Sequence, residues 1–258
     1  AEELLPEKST NFTLGLTASF GDLTLTADYY NIKLEDRLYS VSTRDVSTTV
    51  VTDPDADGYD AYQNYLALSG AGVSGAESIG GVFFFQNAFD TVTEGVDLVA
   101  TYKMETTYGS TMITGSINYN DTSFDSDPSE FLDPEDIYDF EHGTPEMRGV
   151  FSVTHSYDVW SAVARLSYYG EYENVGSDDG TVIDAETIQT YGSEFMFDIE
   201  GSYLINENLT LSVGVRNLFD SYPDPSTNGD ACCGQVYDSG SVVDWQGGYY
   251  YTRLAARF

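Results

Sequence analysis

Apolar and polar residues alternate with a period of two along most of this chain, in segments of about ten residues. Side chains along a strand point alternately to opposite faces, so each segment predicts a strand with one apolar and one polar side. The clearest is 209–216, where Leu209, Leu211, Val213 and Val215 oppose Thr210, Ser212, Gly214 and Arg216. Phe12, Leu14, Leu16, Ala18 and Phe20 oppose Thr13, Gly15, Thr17 and Ser19 in the same way. Val96, Leu98, Ala100 and Tyr102 oppose Asp97, Thr101 and Lys103, and Ile113, Gly115, Ile117 and Tyr119 oppose Thr114, Ser116, Asn118 and Asn120. With further segments at 23–27, 151–153, 160–168, 195–203 and the C-terminus, about nine strands are expected. The phase is lost over 29–32, which predicts a β-bulge there.

The connections alternate in length. Short turns are expected near Gly21 and Asp22, over 105–109, over 156–159 and over 205–208, and long polar segments over 37–86, 122–145, 172–193 and 218–247. Strands of about ten residues, with short turns on one side and long loops on the other, fit an all-β, transmembrane antiparallel β-barrel whose short turns are periplasmic. Aromatic residues at strand ends, as in Tyr29-Tyr30, Tyr168-Tyr169 and Tyr249 to Tyr251, fit the girdles of such a barrel. Alternation alone would equally suit a soluble β-sandwich.

Composition narrows this choice. With 21 Tyr, 14 Phe and 24 Gly the chain favours strands, and its 43 acidic against 10 basic residues give a net charge of −33. That charge repels a phosphate backbone, so nucleic acid is excluded as a partner. No run approaches the roughly 20 apolar residues of a membrane helix, so a membrane protein of this sequence must cross with strands. The start, AEELLPEKST, lacks a signal peptide, from which the chain is expected to begin within a longer product. Nine strands would put the two ends of the chain on opposite sides of the membrane. An open nine-stranded sheet would also leave two edges in lipid, so further strands are expected from elsewhere.

The last segment, GYYYTRLAARF, places Tyr250, Thr252, Leu254, Ala256 and Phe258 on one face and resembles the C-terminal signature read by the barrel-assembly machinery. LTLSVGVRNLFDSYPD, PEKSTNFTLGLTASFGDLTLTADYYNIKLEDRL and TEGVDLVATYKM resemble elements of TonB-dependent receptors, in order, as about the last nine of that family's 22 strands. The resemblance implies a bacterial outer-membrane location and energy-coupled uptake of a scarce, bulky solute such as an iron–siderophore complex, a cobalamin or an oligosaccharide. Residues 1–258 would then be one partial barrel domain. Its partners would be outer-membrane lipid, the remainder of the barrel with its plug, and the TonB complex reached through that plug. A passive porin or an adhesin-like barrel is the alternative, and a soluble acidic sandwich binding carbohydrate through Tyr is a third reading.

Candidate chemistry is sparse. His142 and His155 are far apart, and no Ser or Cys sits in a nucleophile motif, so no catalytic constellation is expected. Asp97, Lys103, Arg165, Asp198, Glu200, Arg216, Arg253 and Arg257 lie on polar faces and are expected to line the lumen as an ion-pair lattice that contacts the plug. DPDADGYD repeats the D-x-D-x-D-G opening of calcium loops, with Asp53, Asp55 and Asp57 as ligands and Asp60 or acids of another loop completing the shell, and clustered carboxylates in neighbouring loops, such as Asp133, Glu135 and Asp136, repel one another and give a cation something to relieve. The twelfth position is Asn64 rather than Glu, so a solvated acidic turn is the competing reading. The adjacent Cys232 and Cys233 are either a vicinal disulfide, which an oxidising exterior would favour, or two loop thiols.

Overall fold

The computed structural model describes residues 4–40, 44–54, 56–82, 85–176, 183–227, 236–238 and 240–257. In chain order the elements are β1 (Lys8–Phe20), β2 (Leu23–Ser40), β3 (Arg44–Asp45), α1 (Tyr59–Gly70), a 3-10 turn (Ala76–Ser78), β4 (Gly81–Val82), β5 (Phe85–Thr106), β6 (Gly109–Phe124) and α2 (Pro134–His142). They continue with β7 (Met147–Tyr157), β8 (Trp160–Tyr169), β9 (Tyr172–Val175), β10 (Ile188–Tyr191), β11 (Glu194–Asn206), β12 (Leu209–Arg216) and β13 (Tyr249–Ala256). Nine strands form one antiparallel sheet in the order β1-β2-β5-β6-β7-β8-β11-β12-β13. The short pairs β3 with β4 and β9 with β10 belong to the long loops.

Four connections on one rim are two-residue hairpins, closed by the pairs Phe20 with Leu23, Thr106 with Gly109, Tyr157 with Trp160 and Asn206 with Leu209. Positive φ at Gly21 (61°), Gly109 (114°) and Asp158 (51°) supplies the backbone that such tight turns need. Every long connection lies on the other rim, as the alternation of loop lengths predicts.

The register confirms the two-faced reading and corrects two details of it. Across the sheet Ala18 pairs Leu25, Leu25 pairs Ala100, Ala100 pairs Gly115, Gly115 pairs Phe151 and Phe151 pairs Leu166, so apolar positions share one face. Among the described residues no second layer covers that face: Leu16 and Phe20 are 72% and 66% exposed, and Leu254 is 61% exposed. A sandwich would bury these side chains.

The first correction concerns the bulge. Strand β2 pairs β5 without interruption through 29–32, and the register shifts come at Leu34 to Arg37 and Arg37 to Leu38, where Asp36 has φ 56°. What changes at 29–32 is polarity rather than backbone. The apolar face of β2 runs Leu23, Leu25, Ala27, Tyr29 and then turns polar at Asn31 and Lys33. At 18 and 22 residues, β2 and β5 far exceed the roughly 9–11 that span a bilayer, so their upper halves stand in water.

The second correction concerns the aromatic doublets. Period two sends Tyr29, Tyr168 and Tyr250 to the apolar face and Tyr30, Tyr169, Tyr249 and Tyr251 to the other. The girdles are therefore single rows. Phe12, Tyr29, Tyr119, Tyr168, Phe195 and Tyr250 lie towards the loop rim, and Phe20, Tyr102, Trp160 and Tyr203 towards the turn rim.

Candidate functional site: the polar wall and its loop roof

Because the apolar positions share one face, the register gathers the polar positions on the other. One row runs Gly15, Asp28, Asp97, Asn118, Arg148, Tyr169 and Glu194 across β1 to β11. Within it Asn118 Nδ2 donates to Asp97 Oδ1 at 2.7 Å and to the Tyr30 hydroxyl at 3.2 Å. Tyr30 lies flat across Gly95, where a Cβ would come within 2.2 Å of the phenol ring, and Tyr251 covers Gly214 with the same geometry at 2.4 Å. These two glycines are present because an aromatic side chain takes the space above the strand.

A second cluster sits on β8, β11, β12 and β13. Arg165 pairs Asp198 in register but only at 3.9 Å between charged atoms, and Asp198 Oδ1 instead accepts the backbone N–H of Asn217 at 2.9 Å. Arg253 Nη2 donates to both Glu200 oxygens at 2.9 and 3.0 Å, and the Tyr251 hydroxyl donates to Glu200 at 2.7 Å. Arg165, Asp198, Glu200, Arg216, Tyr251 and Arg253 line a cavity of about 250 Å³. It adjoins a larger one of about 540 Å³ that shares Asp198 and Arg216 and reaches Asp244, Gln246 and Tyr249 in the last loop. The register puts Asp97, Lys103, Arg165, Asp198, Glu200, Arg216 and Arg253 on the polar face and Arg257 just past the end of β13, and among the described residues the expected lattice reduces to these few contacts.

Above the wall the long loops form a roof. Phe140 of α2 packs 4.5 Å from Phe124 and 5.9 Å from Phe89, which is only 2% exposed, and Arg37 lies 5.1 Å from the Phe140 ring centre. Tyr138 donates to Glu173, which drives its phenol up to about 12 because the carboxylate needs the proton kept in place. Asp139 Oδ1 accepts the Val175 N–H at 2.8 Å, tying α2 to β9. Tyr172 and Tyr191 stack at 4.7 Å, both buried, and the Tyr172 hydroxyl donates to Asp238 at 3.2 Å. Burial of Tyr172 pushes its phenol above the ordinary range.

The NLFD element joins roof to wall. Asn217, at φ 49°, donates from Nδ2 to the Ser221 carbonyl at 2.7 Å and accepts the Ser221 N–H at 2.9 Å. Asp220 Oδ1 accepts the Gly248 N–H at 2.7 Å and the Tyr222 hydroxyl at 3.1 Å. Asn and Asp tolerate the left-handed turn and clamp it with their own side chains, so this motif staples the end of β12 to the start of β13.

Of the candidate calcium ligands, Asp53 accepts the Ala56 N–H through its carbonyl, Asp57 precedes the left-handed Gly58, and Asp60 lies in the first turn of α1. Asp55 lies outside the described residues. Asn64 donates to the Asp45 carbonyl at 2.9 Å, and among the described residues no group of three or more His, Cys, Asp or Glu converges on one position. Asp133 is instead the N-cap of α2, with Glu135 and Asp136 in its first turn, where the helix dipole favours negative charge. Cys232, Cys233 and Phe258 also lie outside the described residues. Tyr250, Thr252, Leu254 and Ala256 share the outward face of β13, through their pairs with Val215, Val213, Leu211 and Leu209. His155 is hydrogen-bonded to Thr111 at 2.8 Å, and His142 stacks on Tyr138.

Residues 2–218 match the family model described as TonB dependent receptor-like, beta-barrel. The chain belongs to this receptor family. It is accordingly an outer-membrane β-barrel chain, and its polar wall faces the barrel lumen. Comparison with curated protein sequences gives no match.

Solved structures show the same fold for this receptor chain at low identity. The ferric enterobactin receptor PfeA of Pseudomonas aeruginosa is 18% identical with a TM-score of 0.63, over 99% of this chain and 32% of that one. The outer-membrane transporter YddB of Escherichia coli is 12% identical with a TM-score of 0.64, over 99% and 33%. The copper transporter OprC is 19% identical with a TM-score of 0.57, over 99% and 32%. The chain thus spans about a third of the length of these structures. Family members of this kind are receptors and transporters rather than enzymes.

Proposed function

We propose that this chain forms nine strands of the roughly 22-stranded wall of a TonB-coupled receptor that takes up a scarce, bulky solute. The observation that carries the reading is the sidedness of one sheet. Its outward face is apolar and uncovered at bilayer height, and its inward face is a continuous polar wall under a roof of knitted loops. A barrel of the family's full size encloses a lumen too wide for side chains to fill, so a separate plug must gate it. The edges β1 and β13 each have one neighbour in the sheet and would be closed by further strands.

Solved neighbours described as handling ferric enterobactin or copper make metal chelates the first cargo class to test. The test is uptake by cells carrying the full-length gene under metal limitation, with and without a working TonB complex. Accumulation that needs TonB supports the reading. Accumulation that is proportional to external concentration and indifferent to TonB would select a passive porin instead.

A further inference from the structure

Five of the seven arginines of this acidic chain, Arg148, Arg165, Arg216, Arg253 and Arg257, fall on the lumen side of β7 to β13 or directly after it. Among the described residues, the sheet strands β7, β8, β11, β12 and β13 set three carboxylates on the same face, Glu194, Asp198 and Glu200. Within the cluster around the cavity of about 250 Å³ the balance is three guanidinium groups to two carboxylates. Glu200 is taken by Arg253 and Tyr251, and Asp198 turns one oxygen to the Asn217 amide and meets Arg165 only at 3.9 Å. Arg216 has no ion-pair partner among the described residues, and it stands between the two cavities, lining both.

We propose that Arg216, with Arg165 and Arg253 beside it, receives a carboxylate from an acidic segment of the domain that fills the lumen. The proposal rests on the plugged-receptor reading above and names the contact by which this part of the wall would hold the plug. While the wall is open to water the surplus charge is solvated, since the Arg165 and Arg253 side chains are 52% and 61% exposed. Filling the lumen removes that water. An uncompensated guanidinium then becomes costly, and a carboxylate from the filling domain restores the balance with two-pronged geometry. The cavity of about 250 Å³ accommodates an acidic side chain.

The test uses the full-length receptor in planar lipid bilayers, with conductance recorded as urea is raised to release the plug. Arg216→Ala should open the pore at a urea concentration about 1 M lower than the unsubstituted receptor, while barrel heat-modifiability stays the same. Arg216→Lys should recover part of the shift, because it keeps the charge and loses the fork. Lys33→Ala, which removes a charge from the outward face of the rim, should leave opening unchanged. Should Arg216→Ala fail to assemble, Arg165→Ala provides the same reading with a smaller shift in the same direction. A closed unsubstituted receptor whose Arg216 and Arg165 variants open at the same urea concentration overturns the carboxylate contact alone, as does an equal shift in Lys33→Ala. An unsubstituted receptor that conducts fully without urea overturns the plugged-receptor reading itself.

Discussion

The lower and upper halves of β2, β5 and β6 follow one strand periodicity with opposite sidedness. At bilayer height Leu25, Leu98 and Ile117 point outward and Asp28, Asp97 and Asn118 inward. Above it Asn31 donates to Glu94 at 2.6 Å and Lys33 meets Asp125 at 2.5 Å on the outward side. On the inward side, Phe89 and Thr91 are each 2% exposed beneath Phe124 and Phe140. The backbone is the same in both halves, so the solvent outside decides which face is apolar. Lipid asks for an apolar exterior; water allows the apolar core to move inside, under the loops.

Substitutions can break this comparison from either side. The largest effect is expected for Phe89→Ala, which removes the centre of the inward aromatic cluster and should cost the roof about 3–5 kcal/mol, read as protease cleavage of the loop carrying α2. Intact loops in that variant would mean that the cluster is decoration. Val213→Arg, on the lipid face between Leu211 and Val215, should cost about 2–4 kcal/mol on folding into vesicles, with Ser212→Arg costing less. Equal penalties at the two positions would contradict a lipid-facing row. Lys33→Ala should leave stability nearly unchanged, since exposed ion pairs contribute little.

The smallest effect concerns pH. Tyr138 is held protonated by Glu173, with its phenol raised from the ordinary 10 to about 12. A raised value means that the contact stabilises the roof fully below pH 10 and is lost as pH climbs through about 12. Comparing the phenolate absorbance of the parent with Tyr138→Phe should therefore show one late-titrating tyrosine missing from the variant. Identical titration curves would remove the Tyr138 contact from the account.

Much of this was legible in the alternation. The nine main strands, the four short turns and the residues of the polar wall follow from period two, because lipid on one side and a wet lumen on the other leave a strong, regular imprint. The roof was not legible. The helix Pro134–His142 carries signals that could have been read, namely Asp133 before Pro134 with acids in the first turn, but in an acidic loop they look like a cluster of mutually repelling carboxylates. The change of phase at 29–32 was visible and suggested a bulge, because a switch in polarity and a slip in register look alike in one sequence. The cluster around Arg216 depends on which charges meet across strands, which spacing along the chain does not fix.

The inversion of sidedness along a single strand is tested most directly by walking a spin label along β2 of the full-length receptor in lipid, with Cys232 and Cys233 replaced by Ser. Collision with oxygen, which concentrates in lipid, is compared with collision with a water-soluble nickel chelate. Labels at Leu23, Leu25 and Ala27 should favour oxygen, and labels at Asn31 and Lys33 should favour the chelate even though all five share one face. Continued preference for oxygen through Asn31 and Lys33, or no alternation between Leu25 and Thr26, would contradict the account.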